Sequence, residues 1–156
     1  MSTVTVRPAT ASDLPALARL SGGLFAIDAG QFDPWTDQEW PARDGETYFG
    51  KLIAGDASAI WLAELGDEPI GYATGKLGGP YSTRPVSVAD LESVFVAEGH
   101  RSGGAGEALV RAFLAWARDQ GAELAQVTAY SGNVRAQAFY QRVGFHPHTV
   151  TLEMSL

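Results

Sequence analysis

Apolar and polar residues recur along the chain with the two periods that mark regular structure. Alternation places every second side chain on one face of a strand, whereas a spacing of three or four residues lines one face of a helix. The strands predicted from alternation span residues 4–6, 59–65, 70–77, 86–96, 123–130 and 149–154. The helices predicted from helical spacing span residues 12–24, 47–54, 104–120 and 133–143.

The order of these elements, βααβββαβαβ, predicts a mixed α/β domain. Residues 66–69 read Gly-Asp-Glu-Pro, a turn composition, so strands 59–65 and 70–77 make a hairpin. The strand–turn–helix–strand unit within residues 91–130 is a βαβ crossover, which implies parallel pairing of its two strands. Because the chain has 156 residues and neither repeat nor linker, we expect one domain over residues 1–156.

The long strand at 86–96 presents two sets of side chains on opposite faces if its alternation is unbroken. One face then holds Leu91, Ser93 and Phe95, and the other holds Glu92, Val94 and Val96. We therefore expect the Glu92 carboxylate on the same face as Val94.

Charge and composition narrow the classes of partner. Eleven Lys and Arg residues oppose 18 Asp and Glu residues, giving a net charge of −7. This acidic balance makes a nucleic-acid partner unexpected, because proteins that bind nucleic acid normally present a basic surface. The chain has no cysteine, which excludes a disulfide scaffold and a cysteine nucleophile.

The first ten residues lack a signal pattern, and no stretch approaches the roughly 18 apolar residues of a membrane span. We expect a cytoplasmic protein with no membrane partner.

The acidic residues are unevenly distributed. Residues 1–69 hold 11 acidic and 4 basic residues, whereas residues 70–156 hold 7 of each. The acids are densest over residues 28–46, where Phe32, Trp35 and Trp40 lie among them. Aromatic rings and carboxylates together suit a cationic amine ligand. The same composition also fits a charged solvated loop, or aromatic side chains that pack inward from a helix.

A glycine-rich turn joins strand 86–96 to helix 104–120. Residues 101–106 read Arg-Ser-Gly-Gly-Ala-Gly. Glycines let backbone N–H groups approach a ligand closely, and the start of a helix favours an anion, so the turn predicts a phosphate or pyrophosphate site beside Arg101. It is not a Walker loop, because no Gly-Lys-Ser/Thr follows, and the G-x-G-x-x-G order of a dinucleotide fingerprint fails. The alternative is a flexible connection.

The last predicted helix has a cap, an apolar face and a stop. Asn133 can cap it and Gly144 ends it, while Phe139, Tyr140 and neighbouring apolar residues share one face. A capped amphipathic helix explains all of these positions except the Tyr140 hydroxyl, which needs a partner if it is buried.

Together these two segments resemble the motifs of the GCN5-related N-acetyltransferases, the GNAT family. Residues 96–106 resemble motif A, whose R/Q-x-x-G-x-G/A pattern is met by Arg101, Gly104 and Gly106. Residues 133–145 resemble motif B. The element order and the spacing between motifs also fit, so the resemblance covers essentially the whole chain. It implies an acetyl-CoA enzyme with a splayed central sheet flanked by helices.

The resemblance also implies which residues hold acetyl-CoA. Backbone groups of Val94, Phe95 and Val96 would pair with the pantetheine arm. The pyrophosphate would lie next to Arg101, in the loop made by Ser102, Gly103, Gly104, Ala105, Gly106 and Glu107. Asn133 and Tyr140 would lie near the thioester. No metal is expected, because His146 and His148 have no evident third ligand.

Acetyl transfer to an amine needs a base for the amine proton and an acid for the leaving thiolate. The resemblance puts the Tyr140 hydroxyl near the sulfur, so Tyr140 is the expected acid. Glu92 is the expected base, acting through water, with Asp90 as the second choice. Some relatives carry a Glu at the position of Thr128, which cannot act as a base. The alternatives are a packing aromatic at Tyr140 and a solvated carboxylate at Glu92.

The expected acceptor is a cationic primary amine, because the excess of negative charge is confined to residues 1–69. A polyamine, an aminoglycoside, and a lysine or N-terminal amine of a protein all fit. The candidate contacts are Phe32, Asp33, Trp35, Tyr81 and Arg84, although Arg84 can instead meet an acceptor carboxylate. The competing function is a non-catalytic acetyl-CoA-binding sensor or partner module of the same fold, and the joint presence of Tyr140 and Glu92 favours the enzyme. Analogy with the fold makes a homodimer a further expectation.

Overall fold

A computed structural model describes residues 3–156 and builds them around a five-stranded sheet. The strands are β1 Val4–Pro8, β2 Ser58–Leu65, β3 Glu68–Gly78, β4 Val88–Val96 and β5 Leu124–Val127. The helices are α1 Leu14–Gln31, α2 Glu46–Ala54, α3 Ala105–Asp119 and α4 Val134–Val143. A 3-10 turn at Ala11–Asp13 precedes α1, and a π-helical turn at Pro41–Gly45 precedes α2.

The strands lie side by side in the order in which they occur in the sequence. β1, β2, β3 and β4 pair antiparallel, and β4 pairs parallel with β5. The predicted hairpin and the predicted βαβ crossover are both confirmed. The crossover matters for function because it carries the chain from the end of β4 through the glycine-rich turn into α3.

Two hydrophobic cores lie on the two faces of this sheet. In the α3-side core, Leu109 and Phe113 of α3 pack on Leu91 and Trp61 of the sheet. In the α1/α2-side core, helices α1 and α2 contribute apolar side chains that pack on Tyr72 and Phe95. Burial of these large apolar side chains on both faces is the main force that holds the helices on the sheet. The mixed α/β class predicted from the sequence is confirmed.

Helix α1 runs without interruption through Gly22 and Gly23 to Gln31, well beyond the predicted end at residue 24. Gly23 packs directly against the sheet, because a Cβ atom there would lie 2.7 Å from Cζ of Phe95. The small residue allows close packing, and this tertiary contact outweighs the low helix propensity of glycine.

The predicted strand at 149–154 is wrong: residues 146–156 have no regular secondary structure. A strand forms only against a partner, and within residues 3–156 no strand pairs with this segment. β5 is also shorter than the predicted 123–130, because its pairing with β4 ends at Val127. No helix among residues 3–156 has the length and apolar character needed to cross a bilayer.

Candidate functional site

The site begins where β4 and β5 separate. Val88–Leu91 pair with Leu124–Val127, and β4 then continues to Val96 while β5 has ended. Within residues 3–156, the edge of β4 that faces β5 therefore has no strand partner beyond Leu91. Backbone N–H and C=O groups on such an edge retain their hydrogen-bonding capacity, so the edge can bind an extended ligand as an additional strand would.

A β-bulge at Glu92 lies at the point of separation. Thr74 of β3 faces Ser93 while Gly75 faces Leu91, so Glu92 is an extra residue in β4. An extra residue reverses the alternation of side chains that follow it. Glu92 lies opposite Leu91 as predicted, but the faces predicted for the residues after Glu92 are wrong.

The two cores show the reversal directly. Val94 and Val96 pack with Leu91 on the α3-side core, whereas Phe95 belongs to the α1/α2-side core. Glu92 contacts residues of α2 and β3 on the α1/α2 side, so it does not share a face with Val94.

The Glu92 carboxylate accepts hydrogen bonds from two neighbouring elements. Oε1 accepts a short hydrogen bond from the Tyr48 hydroxyl of α2 and lies 3.2 Å from Nζ of Lys76 of β3. Oε2 accepts a longer bond, 3.4 Å, from the Thr74 hydroxyl. The side chain is 31% exposed, so a ligand can still reach the carboxylate.

Tyr48 and Lys76 were not predicted as site residues. Nζ of Lys76 lies 4.9 Å from the centroid of the Tyr48 ring, in cation–π geometry. Burial raises the pKa of Tyr48, and hydrogen bonding with Tyr48 together with the charge of Glu92 raises the pKa of Lys76. Sequence alternation puts Lys76 on one face of β3, but only the register of β3 against β4 brings it to Glu92.

Asp90, the second candidate base, lies where β4 is still paired with β5. It is opposite Gln126, and burial raises the pKa of its carboxyl group. Thr128 follows the last residue of β5 and lies outside the strand.

The glycine-rich turn leads from the free end of β4 to the first turn of α3. Gly104 adopts the left-handed conformation with φ of +83°, and an added Cβ there would meet no heavy atom within 4 Å. α3 starts at Ala105, so the first N–H groups of a 15-residue helix point into the turn without helical partners. This surface is completed by Ser102, Gly103, Ala105 and Gly106. Its backbone N–H donors and open space suit a pyrophosphate.

Arg101 and Glu107 have intramolecular partners at the two ends of the turn. Nε of Arg101 donates to the carbonyl oxygen of Val96 at 3.0 Å, and its guanidinium lies 5.8 Å from the centroid of the Phe95 ring. Glu107 accepts from Arg111 at 2.6 Å, as expected for the i,i+4 pair. Arg101 thereby ties the turn to the end of β4.

Tyr140 lies on α4 among aromatic side chains. Its ring packs edge-on against Phe139 at 5.2 Å and Phe145 at 5.8 Å, and it borders the α3-side core. Phe139 in turn is 3.5 Å from the position of a Cβ at Gly106, so α4 packs beside the start of α3. Burial raises the pKa of Tyr140 to about 12. Its hydroxyl is therefore protonated at neutral pH, and burial, with no hydrogen bond to another group, is the cause of the raised pKa.

Asn133 caps α4, as predicted. Its side-chain oxygen accepts from the backbone N–H of Ala136 at 3.1 Å. The cap fixes the start of the helix that carries Tyr140, and the remaining amide N–H₂ of Asn133 can donate to a ligand.

The three aromatic side chains among the acidic residues 28–46 lie in three different environments. Trp40 packs inward, stacked on Phe25 at 5.2 Å. Phe32 stacks on Tyr130 at 5.6 Å and so joins the end of α1 to the loop after β5. Trp35 is 84% exposed, and its backbone N–H donates to Asp33 at 3.0 Å.

Asp28 is a further acidic residue that the sequence did not single out as a site residue. It lies on α1, where burial and the nearby charge of Asp33 raise the pKa of its carboxyl group. α1 packs on the α1/α2-side core, and Glu92 contacts α2 on that same side of the sheet.

Tyr81 and Arg84 pair with each other rather than with the groups described above. Their backbones form an isolated bridge in the loop between β3 and β4, and Tyr81 is 60% exposed. Among the residues that the structure describes, no three metal-ligating side chains form a group.

Comparison with known proteins identifies the family. The profile of the acetyltransferase (GNAT) family matches residues 26–145. The chain belongs to the GNAT acetyltransferases. This GNAT protein is 30% identical over 147 residues to an aminoglycoside N(6')-acetyltransferase type 1 of Stenotrophomonas maltophilia, covering 92% of this chain and 87% of the relative.

Solved structures share the GNAT fold. A tetramutant protein of Bacillus halodurans superposes with a TM-score of 0.88 at 20% identity, covering 97% of this chain and 99% of that one. An aminoglycoside N-acetyltransferase in complex with CoA superposes with a TM-score of 0.77 at 20% identity, covering 100% of this chain and 96% of that one.

Membership in the GNAT family makes this chain an N-acetyltransferase with acetyl-CoA as cosubstrate. Its own residues fit that molecule: the free edge of β4 suits the amide-bearing pantetheine arm, and the turn at Gly104 suits the pyrophosphate.

Proposed function

We propose that this enzyme transfers the acetyl group of acetyl-CoA directly to a cationic primary amine. The observation that carries the proposal is the combination at β4 of a free strand edge, a carboxylate at its beginning and an anion-binding turn at its end. One sheet with helices on both faces supports a single catalytic domain over residues 1–156. We also propose a cytoplasmic location, the one expected from the sequence.

In this proposal each part of acetyl-CoA has its own binding group. The backbone of Val94, Phe95 and Val96 holds the pantetheine arm by strand-like hydrogen bonds, and the turn from Ser102 to Glu107 holds the pyrophosphate. Asn133 directs its free amide N–H₂ toward the thioester end. Bound acetyl-CoA supplies an acetyl group that is activated as a thioester.

Two side chains move the protons. Glu92 takes a proton from the acceptor amine, directly or through water, as the amine nitrogen forms its bond to the acetyl carbon. Tyr140 donates its hydroxyl proton to the leaving sulfur as the carbon–sulfur bond breaks. Its buried, protonated state supports this role, because a group must hold its proton to act as an acid. No covalent enzyme intermediate is needed.

The acceptor is proposed to approach from the acidic first half of the chain. Asp28, Asp33 and Glu92 supply negative charge, and the stacked pair of Phe32 and Tyr130 supplies an aromatic wall. Carboxylates and aromatic faces both stabilise ammonium groups. The relative from S. maltophilia is named as an aminoglycoside acetyltransferase, and aminoglycosides are polycationic amines of this kind.

We also propose that the enzyme is a homodimer. Val150, Leu152 and Met154 alternate along the C-terminal segment and are each more than 80% exposed. β5 forms the end of the sheet, so its outer edge is open to another chain. An exposed segment with strand alternation and an open sheet edge are complementary partners.

The function is tested by measuring free-thiol release from acetyl-CoA with a panel of amines. The panel contains a polyamine, an aminoglycoside, a lysine-containing peptide and a free amino acid, and calorimetry measures acetyl-CoA binding in parallel. We expect amine-dependent release that is fastest with the polycationic amines.

Two other outcomes contradict parts of the proposal. Fastest release with the amino acid would contradict the cationic acceptor and favour recognition of a carboxylate by Arg84. Tight acetyl-CoA binding without release for any of the amines would favour the sensor function over the enzyme.

A further inference from the structure

We propose that Tyr48 and Lys76 are positioning residues that hold Glu92 by Oε1 and leave Oε2 to take the acceptor's proton. The inference rests on the proposed role of Glu92 as the base. It assigns a function to two side chains that the family motifs do not include.

The two oxygens of the Glu92 carboxylate have different partners. Oε1 has two partners, the Tyr48 hydroxyl, which donates a hydrogen bond to it, and the ammonium of Lys76 at 3.2 Å. Oε2 receives one hydroxyl, that of Thr74, at 3.4 Å, close to the limit for a hydrogen bond. Oε2 consequently retains the greater capacity to accept another proton donor.

The positioning pair is itself held in place. Tyr48 packs edge-on against Trp40 at 5.4 Å and Phe49 at 5.7 Å, which restricts its ring. Lys76 lies over that ring, so its ammonium has both an aromatic face and a carboxylate as partners. Glu92 is the extra residue of β4, and contacts from α2 and β3 hold its side chain.

The charge surroundings of Glu92 come from three elements. α2 contributes Tyr48, β3 contributes Lys76 and the Tyr72 hydroxyl, and β4 contributes the carboxylate of Asp90. Lys76 is the positive charge in this set. Its ammonium stays protonated beside Tyr48 and Glu92, so it acts as a fixed counter-charge and not as an acetyl acceptor.

The test compares Lys76→Met, Tyr48→Phe and Lys76→Arg with the wild-type enzyme, using the best amine of the panel. We expect Lys76→Met and Tyr48→Phe each to lower kcat about tenfold, the loss typical of one hydrogen bond to a charged group. The KM for acetyl-CoA should not change. Lys76→Arg should recover most of kcat because it restores the positive charge.

The split between kcat and KM separates positioning from a merely structural effect. In Lys76→Met the loss should appear in kcat with the KM for the amine unchanged, because the acceptor still binds while the carboxylate that takes its proton is less well held. Lys51→Met, which removes an exposed lysine of α2 outside the site, is the matched control and should leave kcat and KM unchanged.

Glu92→Gln distinguishes failure of this inference from failure of the proposed function. If Glu92→Gln is inactive while Lys76→Met and Tyr48→Phe keep the wild-type kcat, the positioning role is wrong and Glu92 remains the base. If Glu92→Gln keeps wild-type activity, the base itself is wrong. A lower KM for the amine with unchanged kcat in Lys76→Met would show that Lys76 competes with the acceptor, which also contradicts positioning.

Discussion

At the scale of single residues, the carboxyl group of Asp13 shows how local contacts set a charge that affects stability. Nη1 and Nη2 of Arg7 donate to its two oxygens at 2.8 and 2.9 Å, and the backbone N–H of Thr10 donates at 2.8 Å. The hydrogen bonds from Arg7 are the main cause that lowers the pKa of Asp13 to about 2. This contact joins the end of β1 to the start of α1.

Replacement of Asp13 by Asn should destabilise the fold in a pH-dependent way. A carboxyl group with a lowered pKa stabilises the folded state above its unfolded pKa and loses that effect as pH falls toward 2. We expect a loss of about 1–2 kcal/mol at pH 7 that shrinks steadily below pH ~4. Urea unfolding of both proteins across this range measures it. A pH-independent difference would contradict the ion pair.

Replacement of Tyr140 by Phe should affect catalysis and not folding. Burial alone raises the pKa of the hydroxyl, with no hydrogen bond contributing, so its loss should leave no neighbouring group unsatisfied. We expect kcat to fall about 100-fold, the lower range for loss of a general acid. Calorimetric binding of acetyl-CoA and the unfolding midpoint should stay at wild-type values. Unchanged kcat would show that Tyr140 is a packing aromatic.

Some residues of the candidate site could be predicted from the sequence and others could not, and the difference has a physical reason. The glycine-rich turn and the Asn133 cap depend on local backbone preferences, which are readable from consecutive residues. The contacts of Glu92 with Tyr48 and Lys76 depend on the packing of three separate elements. One inserted residue in β4 also reversed the predicted faces of Val94 and Phe95, because alternation gives no sign of a bulge.

At the scale of elements, helix α3 depends on the left-handed residue that precedes it. Gly104 has φ of +83°, whereas Gly22 lies within α1 with open space around its Cβ position. Replacing each by Ala gives a matched pair of substitutions. Gly104→Ala should cost about 1–2 kcal/mol of stability and weaken acetyl-CoA binding, because the strained turn misdirects its N–H groups.

The control substitution should act in the opposite direction. Gly22→Ala should stabilise α1 by about 0.5–1 kcal/mol and leave acetyl-CoA binding unchanged. Urea unfolding and calorimetry on both variants measure the two effects. Wild-type affinity in a folded Gly104→Ala protein would contradict the role of the turn in binding the pyrophosphate.

Element boundaries were predictable where local signals decide them. α3 ends within a residue of the predicted Gln120, before Gly121, and α4 ends at Val143 with Asn133 as its cap, as predicted. Tertiary contacts set the remaining element boundaries. α1 continues past its glycines because Gly23 fits against Phe95, and β5 stops where β4 diverges from it.

At the scale of the whole molecule, the C-terminal segment at residues 149–154 is the part of the fold that we propose forms the dimer. Its alternation predicts a strand, yet within residues 3–156 it has no strand partner. If a second copy supplies that partner, a variant with Val150→Glu and Leu152→Glu should be monomeric while the wild type is dimeric. Sedimentation at micromolar concentration measures both. A monomeric wild type across the accessible concentration range would contradict the homodimer.

The central claim is that Glu92, at the bulge where β4 loses its partner, takes the proton of the acceptor amine. Its most direct test is the pH dependence of kcat/KM for the amine in the wild type and in Glu92→Gln, at saturating acetyl-CoA. The account predicts that Glu92→Gln loses about 100-fold or more near neutral pH and regains rate as pH rises, because more amine is then already deprotonated. A Glu92→Gln profile that overlays the wild type would contradict it.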